Sequence, residues 1–392
     1  MKTLEYSFTA LQWCGLWRPA HWPPGWKSKL YDIYTWFALF ILVSFTLAQF
    51  VEVVHSINDV GELANNSFLM LTLCADCGKA VNVLMKRSEI IELTESLQHD
   101  PCLPKNKKEL AVQHQFDNMA RFNVLRFAAA SGFTVVVLVV KSLVEDLPQR
   151  SLPFNVWLPF ESSESLLGYW IAYSHQMLGI CISCGIGVAF DTFVPALMLQ
   201  ICAQLNILKH RFIEMPRSLL DMTNNFKGEE HSHSCTLKAE SKLLSLHVQH
   251  HLKIFKFAEN VNDLFGLMIF LQYTLSTLII CACLLNASQM KILSSLFAVL
   301  FIYIAEMSLQ VLMYCFYGGE VTIESINLCD GIYEMDWTAL SVDSKRSLLM
   351  IMARTTRPIT FTSAHILTMN LESFKSLLKL SYSTFNVLQT RT

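Results

Sequence analysis

Charge is what this chain has least of: Asp, Glu, Lys and Arg make up 16% of its 392 residues, whereas 53% are hydrophobic. A soluble domain carries about 25% charged residues, so this composition, with mean hydropathy +0.37, excludes an ordinary soluble protein and implies an integral membrane protein. A basic excess is missing too. The formal charge is -2, and without clustered basic surface a nucleic-acid partner is excluded. No nucleophile beside a base, no glycine-rich phosphate loop and no pair of carboxylates at an outer pocket stands out, so catalysis has no foothold and no cofactor is implied. No internal repeat is visible, which removes most transporter folds built from duplicated halves. Met1 to Thr9 holds Lys2 and Glu5 but no apolar core of signal-peptide length before Trp13 and Pro19, so the N-terminus is expected to stay cytoplasmic.

What the chain has is apolar length. A span of hydrocarbon needs about 20 residues, and seven stretches qualify, near 33–54, 63–85, 122–144, 166–205, 264–285, 292–316 and 359–390. The fourth exceeds one crossing and should project beyond the membrane. The expected fold class is an all-α membrane protein, a single domain of seven transmembrane helices with its termini on opposite sides. Lys and Arg accumulate before the first span, after the second and fourth, and before the seventh, from Arg18 and Lys27 to Arg354 and Arg357. Short cytoplasmic loops hold that excess, which places the N-terminus (1–32) inside, 206–263 and 317–358 in the cytoplasm, and the C-terminus outside. Two sequons, at Asn65 and Asn286, fall in predicted outer loops and support that topology weakly. The polar run Glu214–Glu240 reads as a mobile cytoplasmic loop.

The last helix, Leu371 to about Thr390, carries Glu372, Lys375, Lys379, Ser383, Asn386 and Thr390 at intervals of three or four residues, which is one face of an α-helix. A polar line on a spanning helix marks an aqueous path or a bundle interior, because an unsatisfied polar group facing hydrocarbon costs several kcal/mol. The reading is a pore helix; the alternative is a stripe packed on neighbouring helices, with its lysines snorkelling.

Aromatic and hydrogen-bonding side chains gather at helical spacing in the outer halves of three spans: Phe68, Leu71 and Thr72; Ser131, Thr134 and Leu138; Tyr169, Tyr173, Gln176, Met177 and Ile180. These sets would line one largely apolar cavity suited to a small volatile or lipophilic ligand, or else simply pack helices. Cys74–Cys77 and Cys181–Cys184 match C-x-x-C but sit inside apolar spans, and are read as packing residues. His231, His233, His247, His250 and His251 with Cys235 match no structural zinc spacing, so no metal is assigned.

In the last quarter the order Cys315-Phe316-Tyr317-Gly318-Gly319-Glu320, Gly331-Ile332-Tyr333, Trp337, Arg357-Pro358 and Ser381-Tyr382-Ser383-Thr384-Phe385 with Leu388 resembles the carboxyl-terminal signature of insect odorant receptors. Gly168 to Gln176 is similar to that family's fourth span. The resemblance implies a tuning subunit of a heterotetrameric, odorant-gated, non-selective cation channel, working with the common co-receptor in the plasma membrane of olfactory neuron dendrites. It implies an odorant and membrane lipid as further partners, an outer ligand site, a cytoplasmic anchor at 317–358 and a pore-lining last helix at 359–390 with its gate near Val387, beside Asn386, Ser383 and Lys379. Lys375 and Lys379 then need a wide hydrated vestibule or a rotated face. The alternative function is a G-protein-coupled seven-helix receptor. The charge bias opposes it, and an Asp-Arg-Tyr triplet at the end of the third span and an Asn-Pro pair in the seventh are missing.

Overall fold

The computed structural model describes residues 4–19, 22–23, 25–159, 165–225, 232–289, 295–363 and 366–389. Helices dominate it. In chain order they are α1 (Glu5–Trp13), α2 (Trp26–His55), α3 (Val60–Met85), α4 (Arg87–Ser96), α5 (Lys107–Lys141), the single turn α6 (Leu147–Gln149), α7 (Leu166–Asn225), α8 (Ser232–Gln289), α9 (Ser295–Tyr333), α10 (Val342–Thr355) and α11 (Leu371–Gln389). Six of them are long and apolar enough to cross a membrane: those containing Trp26–Asn58, Gly61–Met85, Lys107–Gln149, Leu166–Asp221, Thr236–Ser288 and Phe297–Tyr333. α11 completes the set of seven. Its Glu372, Lys375 and Lys379 dilute its hydropathy.

Capping fixes several helix starts. The Asp59 carboxylate accepts the Gly61 and Glu62 N–H groups at 2.8 and 3.1 Å to open α3, Ser341 accepts the Ser344 N–H to open α10, and Asn370 accepts the Ser373 N–H at 2.8 Å to open α11. Each satisfies a donor that the first helical turn leaves without an intrahelical partner.

α7 is the central post. Every side chain from Val188 to Leu205 is buried, as expected of a helix that is hydrophobic almost all round, and α1, α2, α3, α5, α8 and α9 all pack on it. At 1.5 Å per residue, the 60 residues of α7 and 58 of α8 run to about 90 Å, three times the hydrocarbon thickness. Both therefore extend far beyond a bilayer. That corrects the expectation for Glu214–Glu240: Glu214 to Asn225 is the end of α7, and Ser232 to Glu240 is the start of α8, while Gly228 and His231 lie outside the described residues. Helix continues there because it has partners. Glu240, for example, accepts both the N–H and the hydroxyl of Ser341 at 2.9 Å.

The final segment also differs from the expected 359–390 helix. After Arg357, Pro358 starts an extended stretch in which Thr362–Ser363 pairs antiparallel with Leu367–Thr368, and helix resumes only at Leu371. α9 holds this stretch in place: the Thr322 hydroxyl donates to Ile359 O and Ser325 Oγ accepts the Ile359 N–H, both at 3.0 Å. A Cβ on Gly318 would sit 2.8 Å from Met369 O, so the glycine of the Cys315–Glu320 run lets the hairpin backbone touch α9.

At the end of the bundle carrying α4 and α10, Arg211 of α7 ties three elements together. Its guanidinium forks onto Glu109 of α5 at 3.1 and 2.8 Å, donates to Pro101 O and Leu103 O at 2.6 and 2.7 Å, and reaches His250 Nδ1 of α8 at 3.1 Å. His250 Nε2 lies 2.8 Å from Gln204 Oε1, so the two partners select the tautomer with the proton on Nε2. Removing one member of a buried pair leaves the other charge uncompensated, at a cost of about 3–5 kcal/mol. Arg211→Met should therefore lower the thermal unfolding midpoint of the detergent-solubilised chain markedly. Arg211→Lys should recover only part of the loss, because an ammonium cannot replace the planar fork.

Candidate functional site

A cavity of about 420 Å³ lies between α2, α3, α5, α7, α8 and α9, within the roughly 300–1,000 Å³ typical of small-molecule sites. Its walls are largely apolar. Phe68 and Tyr303 meet edge to face with ring centres 5.4 Å apart, and the Thr72 hydroxyl is hydrogen-bonded to the Tyr303 hydroxyl.

The α6–α7 connection covers the cavity through Ser151, Leu152, Pro153, Phe154 and Asn155. Gln176 of α7 fastens it: its Oε1 accepts the Phe154 N–H at 3.1 Å and its Nε2 donates to Phe154 O at 3.2 Å. The Tyr169 hydroxyl donates to Ser151 O at 3.3 Å, and Ser142 donates to the Tyr173 hydroxyl at 3.2 Å.

The floor is polar. Lys79 of α3 bridges Asp76 at 3.2 Å and Asp191 of α7 at 2.9 Å. Tyr314 of α9 donates to Asp191 at 2.7 Å, Gln310 donates to the same carboxylate, and Ser183 donates to Asp76. Gly187 faces both aspartates. The two carboxylates share one ammonium and three neutral donors, which is what burial of ionised groups requires.

Of the residues expected at the site, Phe68, Thr72, Ser131, Thr134, Leu138, Met177 and Ile180 line this cavity. Tyr169, Tyr173 and Gln176 do not; Tyr169 and Gln176 hold the covering loop, and Tyr173 accepts from Ser142 at the end of α5. Leu71 packs against the hydrophobic core instead. Sequence reasoning missed the α8 and α9 wall, including Gln272, Ile279, Val299, Tyr303, Glu306, Met307 and Gln310, as well as the charged floor. A signal for the floor was present, since ionisable residues inside apolar spans mark function by default, and Asp76, Lys79 and Asp191 are such residues.

The sequons sit in helices rather than loops. Asn286 is 3% exposed in α8, and Asn65, half-buried in α3, lines the cavity. Both therefore depart from the expected outer-loop placement.

α11 is held by a single seam. Ser373, Leu377 and Ser381 are buried against the bundle, the Tyr273 hydroxyl of α8 donates to Ser373 O at 2.7 Å, and Phe385 packs on Ala64, Cys281 and Leu285. Glu372, Lys375, Lys379, Ser383 and Asn386 are exposed. At 100° per residue they lie roughly opposite the seam. Val387, 52% exposed, flanks them. The stripe therefore lies on the side of α11 turned away from the seam.

The Gln176 clamp makes a direct prediction. Replacing Gln176 by Leu removes two hydrogen bonds, each worth about 0.5–1.5 kcal/mol. Amide hydrogen exchange at Phe154 and its neighbours in the covering loop should accelerate about tenfold or more, with amides of the buried α7 core unchanged. Equal rates in the variant and the parent would show that the loop is held by other contacts.

Comparison with known proteins agrees with this architecture. The chain is 22% identical to Odorant receptor 2a of Drosophila melanogaster, over 99% of this chain and 96% of that one. It is 24% identical to Odorant receptor Or1 of Anopheles gambiae, over 97% and 93%. Its fold superposes on the olfactory receptor OR5 of Machilis hrabei, solved in complex with eugenol, with a TM-score of 0.83 and 17% identity over 99% of this chain and 98% of that one. The family model described as 7tm Odorant receptor matches residues 59–382. With that match spanning most of the chain, and the seven-helix fold beneath it, this chain belongs to the 7tm odorant receptor family.

Proposed function

We propose that the chain is the tuning subunit of an odorant-gated, non-selective cation channel, binding a small volatile or lipophilic ligand in the cavity and opening a pore lined by α11. The observation that carries the proposal is the exposed polar stripe on a helix fastened to its bundle along the opposite side. Such a face in hydrocarbon is costly, and copies of α11 around a common axis would turn it towards water. The relatives named above are odorant receptors, and the superposed receptor was solved with a small aromatic ligand. Under this reading the covering loop faces outside, the ends of α7, α8 and α10 project into the cytoplasm, and Val387 stands beside Asn386 at the narrow gate, with Ser383 and Lys379 further along the path. The co-receptor supplies the remaining subunits.

Gating is a population shift: the ligand must bind the open arrangement better than the closed one, because equal affinity shifts nothing. Opening turns apolar Val387 away from the axis and wets a constriction that is dry when closed.

The test is whole-cell current during a diverse odorant panel, with this chain alone, the co-receptor alone, and both together, while G-protein signalling is blocked. A rapid inward current found only in the pair is expected. Val387→Ser should raise the resting current of the pair by making the constriction wettable. A response abolished by the G-protein block would overturn the channel reading.

A further inference from the structure

The cavity wall is short of hydrogen-bond donors. Gln49 Oε1, Ser131 Oγ and Gln272 Oε1 all belong to cavity-lining side chains no more than 2% exposed, and none has a partner among the described residues. The amide nitrogens are otherwise engaged: Gln272 Nε2 donates to Ser276 Oγ at 2.9 Å and Gln49 Nε2 to Asn66 O at 3.4 Å. The two amide oxygens can only accept, and the Ser131 hydroxyl can accept as well as donate, so the wall offers chiefly acceptors. A buried polar atom left unsatisfied is costly, and here two of the three unpaired atoms can only accept.

Charge points the same way. Four carboxylates line the cavity, those of Asp76, Asp146, Asp191 and Glu306, against the two ammonium groups of Lys79 and Lys141. Both ammonium groups are taken. Lys79 lies between Asp76 and Asp191, and Lys141 is within 3.7 Å of Glu145 and 3.9 Å of Asp146. Glu306, half-buried and one helical turn from Gln310, forms no ion pair among the described residues.

We propose that the cavity takes a small amine, its apolar body against Phe68, Met177, Ile180 and Tyr303 and its protonated nitrogen at the polar floor, donating to Glu306 and Gln272 Oε1. The assignment rests on this cavity being the ligand site. An alkylammonium group brings three donors and the missing positive charge. A hydroxyl brings one donor and no charge. An ester, aldehyde or ketone adds another acceptor to a wall already rich in them, so polar matching disfavours those classes.

The experiment uses the purified full-length chain in lipid nanodiscs and three probes with the same body: 2-phenylethylamine, 2-phenylethanol and propylbenzene. Apparent affinity is read from the ligand-induced rise in unfolding temperature at pH 7, where an alkylamine is protonated. A charge-assisted hydrogen bond should bind the amine about tenfold or more tighter than the alcohol, and propylbenzene weakest. Glu306→Gln should remove about that factor for the amine and leave propylbenzene nearly unchanged. Gln272→Met should weaken the amine and the alcohol but not propylbenzene. The order among the three probes on the parent chain decides the matter even where a variant fails to fold. An amine that binds no better than propylbenzene, or does not bind at all, overturns the assignment. Currents recorded for the same probes with the co-receptor separate the two claims. Amine binding without current defeats the channel reading and leaves the ligand class standing, whereas current driven by propylbenzene and not by the amine does the reverse.

Discussion

Lys79 holds two carboxylates inside a bundle that would otherwise have to expel them. Asp76 and Asp191 sit on helices read as membrane spans, where an unpaired charge costs at least about 2.5–3.5 kcal/mol, and one ammonium at 3.2 and 2.9 Å serves both. The arrangement fixes more than charge. It binds α3 to α7 at one depth and one rotation, and through Tyr314 and Gln310 it adds α9. Apolar helix faces slide and rotate against each other at little cost in lipid, since lipid tails compete equally for them. A directional polar cluster does not permit that, and the cavity above it inherits the fixed geometry of its walls.

The second polar knot lies at the other end of the same helix. From Gln200 a chain of amides and carboxylates, through Gln113, Asp117, Gln204 and His250, leads to Arg211 and Glu109. It joins α5, α7 and α8 as Lys79 joins α3, α7 and α9. α7 is thus pinned at two levels. That explains why it stays helical and buried through Pro195, which removes a backbone donor from its interior. Between the pins its surface needs only to be apolar, and from Val194 to Leu199 it is.

Much of this was legible in the sequence because it is periodic or compositional. Seven apolar stretches gave seven helices, and the three-or-four spacing of Lys375, Lys379, Ser383 and Asn386 gave the exposed face of α11. Periodicity also found the α3, α5 and upper α7 walls of the cavity, because side chains on one helix face share surroundings. It could not tell Met177, which faces the cavity, from Gln176, which turns to clamp Phe154; they are neighbours in sequence and differ by a rotation of about 100°. The α8 and α9 wall escaped because Gln272 and Tyr303 look like single polar interruptions until the fold places both in the wall of one cavity, Tyr303 hydrogen-bonded to Thr72. The hairpin at 362–368 escaped because a run of Thr and Ser between apolar residues reads as an imperfect helix start. Only docking of Met369 against Gly318 shows why it is extended.

The same helix that walls the cavity seats the last helix. On α8, Gln272 and Ile279 face the cavity, while the adjacent Tyr273 donates to Ser373 O and Thr277 O accepts from Ser381. On α9, Tyr303 faces the cavity, and Gly318 carries the hairpin that leads into α11. The cavity and the α11 seam are therefore separated by one helix thickness, with directional hydrogen bonds on the α11 side. Coupling between distant sites needs an element with two arrangements that both sites bias. Under the channel proposal α11 is suited to be that element, because a seam on one side would let it move as a unit, whereas α7, pinned twice and buried from Val188 to Leu205, would be the frame against which it moves.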